Sequence, residues 1–267
     1  MARVPFIKMH GLGNDFVVLD ARDAALPDVP DATVIALADR YRGIGFDQLI
    51  RLEPSTEDGA EFRMRIFNSG GGEVEACGNA ARCVALLHGQ DAKVETAGGV
   101  IALSASDGGA NVDMGEPQFA WNTIPLAYSM DTRAMPVGWD GLEAPDAVNV
   151  GNPHVVFFVP DAADIDLARI GATIETDPLF REGVNVNVAS ITAEGITLRV
   201  WERGAGLTQA CGTGACATAV AAIRRGLVTS PVQVTLPGGT LTVAWQEGGT
   251  ITMTGPAQES FRGTFAL

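Results

Sequence analysis

The chain is short of positive charge. Eighteen Lys and Arg face 32 Asp and Glu in 267 residues, for a formal net charge of -14. A field of that sign opposes broad affinity for nucleic acid or anionic lipid. A small anionic substrate can bind such a protein only where an arginine or local dipoles reverse the field. Long apolar runs are also missing. None is longer than the run Val155 to Val159, which stops at Pro160, well short of the roughly 20 residues a membrane-spanning helix needs. Lys8 and His10 interrupt Val4-Pro5-Phe6-Ile7 before an apolar core forms, so no secretory signal and a cytoplasmic location are expected. Cysteines number four, at 77, 83, 211 and 216, too few and too unevenly placed for a disulfide framework, and all are expected to be reduced. No CxxC pair or Cys/His spacing suggests a metal site. Gly70-Gly71-Gly72 lacks the Walker lysine or dinucleotide fingerprint that would mark a phosphate loop.

What is present is an internal echo. Met64–Ala81 is repeated by Leu198–Ala215 at a constant offset of 134 residues, matching Arg65 with Arg199, Gly70 with Gly204, Gly72 with Gly206, Cys77 with Cys211 and Gly78 with Gly212. An offset near half the length predicts two domains, each large enough for its own core. Composition agrees with a globular chain, at 46% hydrophobic and 19% charged residues.

Alternation predicts strands near residues 3–8, 15–20, 47–52 and 62–67, with a helix over 32–42 opened by Asp31 as N-cap. A helix follows from Cys77 to His88, stopped by Gly89, then strands near 93–96, 99–104 and 111–114. The second half repeats the order: strand 154–159, helix 163–170, strands 185–191 and 196–202, helix 211–225, and strands 232–236, 240–245 and 250–254. The two cysteine-led helices have almost no polar face, so each is expected to be buried on all sides. The predicted fold class is α+β: two pseudo-symmetric domains, residues 1–118 and 119–255, each a curled mixed sheet wrapped around a central buried helix. The active site is expected in the cleft between them.

A cysteine at the first turn of a helix feels the positive end of the macrodipole, which is expected to lower its pKa toward neutrality. The glycine-preceded helix start also offers free N–H groups to a carboxylate. A carboxylate held by two such ends has its α-carbon flanked by two thiols. For racemisation, one thiolate removes the α-proton from one face and the other thiol protonates the opposite face. A single cysteine in an apolar helix is more often a buried small hydrophobe, and Cys83 and Cys216 are read that way. Duplication of loop and helix start favours catalysis for Cys77 and Cys211. Asn68 and Glu202 hold equivalent positions nine residues before each cysteine. His154 and Glu202 are candidate partners for the thiols, while His10 and His88 are read as structural. Asn14 and Asn152 each follow a glycine and precede an apolar strand, a place where Asn commonly forms turns.

The motifs Ala76-Cys77-Gly78-Asn79, Ala210-Cys211-Gly212-Thr213, Glu202-Arg203-Gly204, Gly151-Asn152-Pro153-His154, Gly13-Asn14-Asp15-Phe16 and Gly45-Phe46-Asp47-Gln48 closely resemble, in order, those of the diaminopimelate epimerase family. The resemblance implies a cofactor-independent interconversion of LL- and meso-2,6-diaminopimelate, serving lysine and peptidoglycan synthesis. It implies a homodimer in which the tail, 256–267, returns to the first domain. By the same resemblance Cys77 and Cys211 are the acid/base pair, with His154 and Glu202 as their respective partners. The N–H groups at Gly78-Asn79 and Gly212-Thr213 are the carboxylate cradle. Asn14, Asn68, Asn152, Asn185 and Arg203, with Gln48 nearby, hold the distal amino-carboxylate. The chain departs from the family pattern at Ser69–Gly72 and at Gly183. Two other readings of the thiol pair stay open: a proline- or hydroxyproline-type racemase of the same fold, and a redox-sensing binding module.

Overall fold

The computed structural model describes residues 3–74, 78–106 and 109–267. Cys77 lies outside the described residues. Two compact units make up the chain, Met1–Val112 with Gly255–Leu267, and Asp113–Thr254. The first contains β1 (Arg3–Gly11), β2 (Asn14–Asp20), α1 (Asp31–Ala38), β3 (Gln48–Pro54), β4 (Phe62–Asn68), β5 (Glu73–Val74), α2 (Gly78–His88), β6 (Ala92–Thr96), β7 (Gly99–Ser106) and β8 (Gly109–Asp113). The C-terminal strand, Gln258–Ala266, pairs antiparallel with β1. The second unit contains β9 (Gly138–Trp139), β10 (Leu142–Glu143), β11 (Asp146–Asn149), β12 (Pro153–Phe158), α3 (Leu167–Glu175), β13 (Asn185–Thr192), β14 (Gly195–Glu202), β15 (Gly206–Thr208), α4 (Gly212–Arg224), β16 (Val232–Leu236), β17 (Gly239–Ala244) and β18 (Thr252–Gly255). The class is α+β.

Strand register carries the duplication further than the sequence echo does. Ile66 faces Val74 between β4 and β5, and Val200 faces Thr208 between β14 and β15, each residue shifted by the same 134. Phe62 meets Val94 in a parallel pair, as Ile196 meets Val234. Parallel pairing sets Phe16 beside Gln48 and His154 beside Asn185. Because side chains alternate with a period of two, these registers fix which residues share a face. Asn14 is thus the counterpart of Asn152, Phe16 of His154, Gln48 of Asn185, and Asn68 of Glu202.

Each unit has a central helix. The α4 helix packs against β11, β12, β13, β14, β16 and β17, and its residues from Gly212 to Ala222 are buried except Thr213. Against α2 lie β1, β7 and the C-terminal strand. Asn79 and Arg82 are polar residues enclosed there, and fully buried Arg82 donates through Nε to the Pro256 carbonyl at 3.3 Å. That bond ties the returning tail to the helix.

Several expected boundaries move for local reasons. The first helix ends at Ala38, four residues early, because Asp39 accepts the N–H groups of Tyr41 and Arg42 and turns the chain. Asp31 is its first helical residue and not its N-cap. That position belongs to Pro30, whose fixed φ is compatible with entry into a helix but whose side chain caps nothing. The predicted helix 163–170 resolves into a 3-10 turn at Ala162–Asp164, then α3 capped by Asp166. Asp161 accepts from Ala163 and Asp166 from Arg169, so two caps in succession divide what the apolar period ran together.

Helix α3 lies on β13 and β14, and its closest approach is at Gly171, where an added Cβ would stand 2.4 Å from Cδ2 of Trp201. Gly171→Ala is expected to destabilise the protein by about 2 kcal/mol or more, since a ring that size must shift within a packed layer. An unchanged urea midpoint would show that α3 leaves β14 without cost.

Candidate active site

Cys211 is the N-cap of α4. Its Sγ accepts the Gly214 N–H at 3.3 Å and lies 3.5 Å from Thr213 Oγ1. Gly214 has to be small, because a Cβ there would come 2.8 Å from Asn187 Oδ1 and 3.2 Å from the sulfur. The Gly212 and Thr213 N–H groups, in the first turn, have no acceptor within the helix. The expected low thiol pKa is corrected here. Burial pushes the Cys211 thiol well above its ordinary value, and the neighbouring Glu202 carboxylate, which accepts its hydrogen bond, pushes it further. Bonds from Thr213 and Gly214 pull the other way and lose. Cys211 therefore rests as a thiol. Thr208 donates through Oγ1 to Glu202 Oε1 at 2.5 Å, holding the carboxylate from the adjacent strand.

His154 is fully buried. Asn187 Nδ2 donates to the Val155 carbonyl at 3.0 Å and faces His154 Nδ1 at 3.0 Å, while His154 Nε2 faces Asn152 Oδ1 at 2.9 Å. Donation from the amide makes Nδ1 an acceptor, so the proton sits on Nε2 and points at Asn152. Burial drives the imidazole pKa down to about 3, Arg203 adds to the shift, and the Asn187 bond opposes it only in part. Asn152 also reaches Thr213 Oγ1 with Nδ2 at 3.4 Å. His154, Asn152, Thr213 and Cys211 thus form one connected polar chain. Asn187 was not among the sequence candidates. Its signal is a polar residue inside the apolar strand Val186–Val188, at the register position Ile50 fills in the first unit.

Of the distal-binding candidates of this unit, Asn152 precedes β12, Asn185 opens β13 and Arg203 follows β14. Asn185 donates to the Pro153 carbonyl at 2.8 Å and accepts the Arg203 N–H at 2.9 Å, so its amide is engaged at both ends with protein. Arg203 donates Nη1 to the Glu182 carbonyl at 2.8 Å. Gly183, a departure from the family pattern, has φ of +72°, and a Cβ there would sit 3.1 Å from Arg203 Cδ. Glycine leaves the arginine stem its room.

In the first unit Asn14 donates Nδ2 to Asp47 Oδ2 at 2.7 Å and accepts from Asn79 Nδ2 at 3.0 Å. Asn79 belongs to the first turn of α2, beside Gly78. Gln48 donates Nε2 to Asn68 Oδ1 at 3.1 Å. Behind them Arg40 bridges Asp15 and Asp47 at 2.8 and 2.6 Å, and Lys8 reaches Asp15 and the Gly45 carbonyl. Burial would raise the Asp15 carboxyl, but Arg40 and Lys8 outweigh it and hold it at about 2. Asp47, which aligns Asn14, was not a sequence candidate although it precedes Gln48 in the quoted motif. Among the described residues, no group of three or more His, Cys, Asp and Glu side chains is arranged to hold a metal ion.

Two units, each with a buried central helix, make a fold that is shared with solved proteins of the PhzF and racemase/epimerase kind. A hydroxyproline epimerase from Agrobacterium vitis, solved with trans-4-hydroxy-L-proline, superposes with a TM-score of 0.69 at 15% identity, covering 99% of this chain and 93% of that one. A phenazine biosynthesis protein of the PhzF family from Enterococcus faecalis superposes at 0.71 and 15% identity over both whole chains. The family model described as diaminopimelate epimerase matches residues 6–120 and 146–259. Diaminopimelate epimerases from Erythrobacter litoralis and Sphingopyxis alaskensis are 66% and 63% identical, covering 98% and 97% of this chain and 97% and 96% of theirs. The chain belongs to the diaminopimelate epimerase family.

Because His154 stays neutral when folded, its contribution to stability is full above about pH 6.5, where the unfolded imidazole is also neutral, and is lost as pH falls toward 3. In His154→Phe the dependence of unfolding free energy on pH between 6 and 4 should flatten relative to wild type, by up to about 1.4 kcal/mol per pH unit. Parallel urea-derived profiles for the two proteins would show that the folded imidazole titrates normally.

Proposed function

We propose that this chain interconverts LL- and meso-2,6-diaminopimelate without a cofactor, with Cys77 and Cys211 as the two acid/base residues. The observation that carries the proposal is the Cys211 thiol, buried at the first turn of α4 and bonded to Glu202, with Cys77 at the position 134 residues earlier. As a base, Cys211 passes its proton to Glu202 and the resulting thiolate takes the α-proton. As an acid, it delivers its own proton to the carbanion. Cys77 performs the complementary step on the opposite face, so the α-carbon loses one proton, gains another and inverts. His154 is the proposed partner of Cys77. N–H groups at Gly78-Asn79 and Gly212-Thr213 stabilise the charge that develops on the reacting carboxylate. Since an α-C–H is a far weaker acid than a thiol, that stabilisation supplies most of the rate.

Arg203 is assigned to the distal carboxylate, where a planar fork gives bidentate recognition. Asn14, Asn68, Asn152, Asn185 and Gln48 are assigned to orienting the distal amino acid. An arginine among amides favours a substrate with a second polar end over the compact ring of a proline-type substrate. We place the enzyme in the cytoplasm, where thiols stay reduced, and no described helix is long and apolar enough to cross a membrane. A homodimer is proposed from the family resemblance, and half-exposed Phe261 on the C-terminal strand offers an apolar contact for it.

LL-diaminopimelate incubated with the enzyme in deuterated water should gain α-deuterium and become meso. Cys77→Ala and Cys211→Ala should each reduce turnover by about 10³-fold or more, as expected for loss of an acid/base group that has no substitute. Full turnover by either variant would remove that cysteine from the mechanism. Absence of α-exchange with any amino acid would favour the redox-sensing module.

A further inference from the structure

Glu175 ends α3, 27 positions before Glu202, and no motif marks it. Its Oε2 accepts the indole N–H of Trp201 at 2.7 Å, and its Oε1 accepts the backbone N–H of Gly204 at 2.8 Å. One carboxylate therefore grips the chain on both sides of Glu202 and Arg203. Further features of α3 and the chain after it fit the same short segment. The Trp201 ring lies against Gly171, the Arg203 guanidinium bonds the Glu182 carbonyl, and Gly183 leaves the arginine stem its space.

The first unit is built differently at this place. Phe67, four residues before Gly71, stands at the register position of Trp201 and has no N–H to offer. Its loop is instead anchored through the main chain, Ser69 N–H to the Asp47 carbonyl at 3.1 Å. The carboxylate grip occurs in the half that carries Glu202 and Arg203, and is absent among the described residues where Asn68 and Ser69 stand. A fold requirement common to both halves would not produce that difference.

We infer that Glu175 is a positioning residue for the reaction: it sets the Glu202–Arg203 dipeptide so that the Arg203 fork meets the distal carboxylate of the substrate. This rests on the assignment of Arg203 above. The Glu202 carboxylate is itself held by Thr208, whereas the bonds on Arg203 leave its remaining guanidinium donors to the substrate, so a shift of the gripped segment is read chiefly in substrate affinity.

Glu175→Gln keeps the size of the side chain but turns an amide donor toward one of the two N–H groups it must accept. Expected results are a KM for LL-diaminopimelate raised about tenfold, a kcat within about threefold of wild type, and exchange of the Trp201 indole and Gly204 amide protons faster by about tenfold or more. The indole signal is identified with Trp201→Phe, and Arg203→Met is measured beside it. If Arg203→Met raises KM while Glu175→Gln does not, the proposal is overturned and the assignment of Arg203 stands. A lowered thermal midpoint with unchanged KM in Glu175→Gln likewise overturns it, leaving Glu175 a staple between α3 and β14. If Arg203→Met itself leaves KM unchanged, the assignment of Arg203 falls and takes the proposal with it.

Discussion

A helix with no polar face has to be enclosed, and enclosure decides the chemistry of whatever stands at its end. Residues of α4 from Gly212 onward are almost all Ala, Gly, Val, Thr and Cys, small enough for six strands to close around them. Their burial brings Cys211 out of water with them. At the helix start two effects of opposite sign meet. The macrodipole favours a thiolate by about 0.3–1 kcal/mol at exposed sites and up to ~2 kcal/mol when partly buried. Removing a charge from water costs several kcal/mol. Burial wins, and Glu202 adds its charge on the same side. The thiol is thereby kept protonated at rest, hydrogen-bonded to a carboxylate acceptor.

Duplication supplied two glycine-led loops and two central helices, and register shows where the copies diverged. At the cysteine, the following glycine and the loop glycines, the halves agree. One turn of strand away they do not. His154 and Asn187 occupy the positions of Phe16 and Ile50, so a buried hydrogen-bonded pair replaces two apolar side chains. Unpaired, either polar group would cost a few kcal/mol there. Paired, they cost little and hold an imidazole in one tautomer. Glu202, Arg203 and Trp201 replace Asn68, Ser69 and Phe67. The shared residues suit a carbon whose two faces require equal treatment. The divergent ones suit a distal end that has only one handedness to be recognised.

Much of this could be read from the chain in advance because it depends on spacing. Repeated Gly and Cys at a fixed offset announced the two central helices and their starts, and apolar alternation found most long strands. Features set by single hydrogen bonds were harder to see. The division of the predicted helix at 163–170 depends on which of Asp161 and Asp166 caps which turn, and periodicity does not distinguish them. The C-terminal strand was missed because its residues from Gln258 to Arg262 are all exposed, so no buried alternation marks it. The sign of the Cys211 shift required knowing that the thiol was enclosed beside Glu202. Glu175 and Asp47 act through a neighbour, at positions whose meaning comes only from the fold that brings them there.

The strongly acidic composition makes the setting of Arg203 a constraint of its own. Arg22, Arg40, Arg65, Arg169 and Arg225 are each paired with carboxylates, which spends their charge internally. Arg203 makes no ion pair among the described residues. It is held by the Glu182 carbonyl and by its own N–H on Asn185, neutral acceptors that orient the side chain and leave its charge available. Glu175, the acid that grips this segment, is occupied by an indole and a backbone N–H and so anchors the loop without claiming the guanidinium. In a chain of net charge -14, an anionic substrate is drawn only to such a place, where the protein has fixed a cation in position and kept its own carboxylates engaged elsewhere.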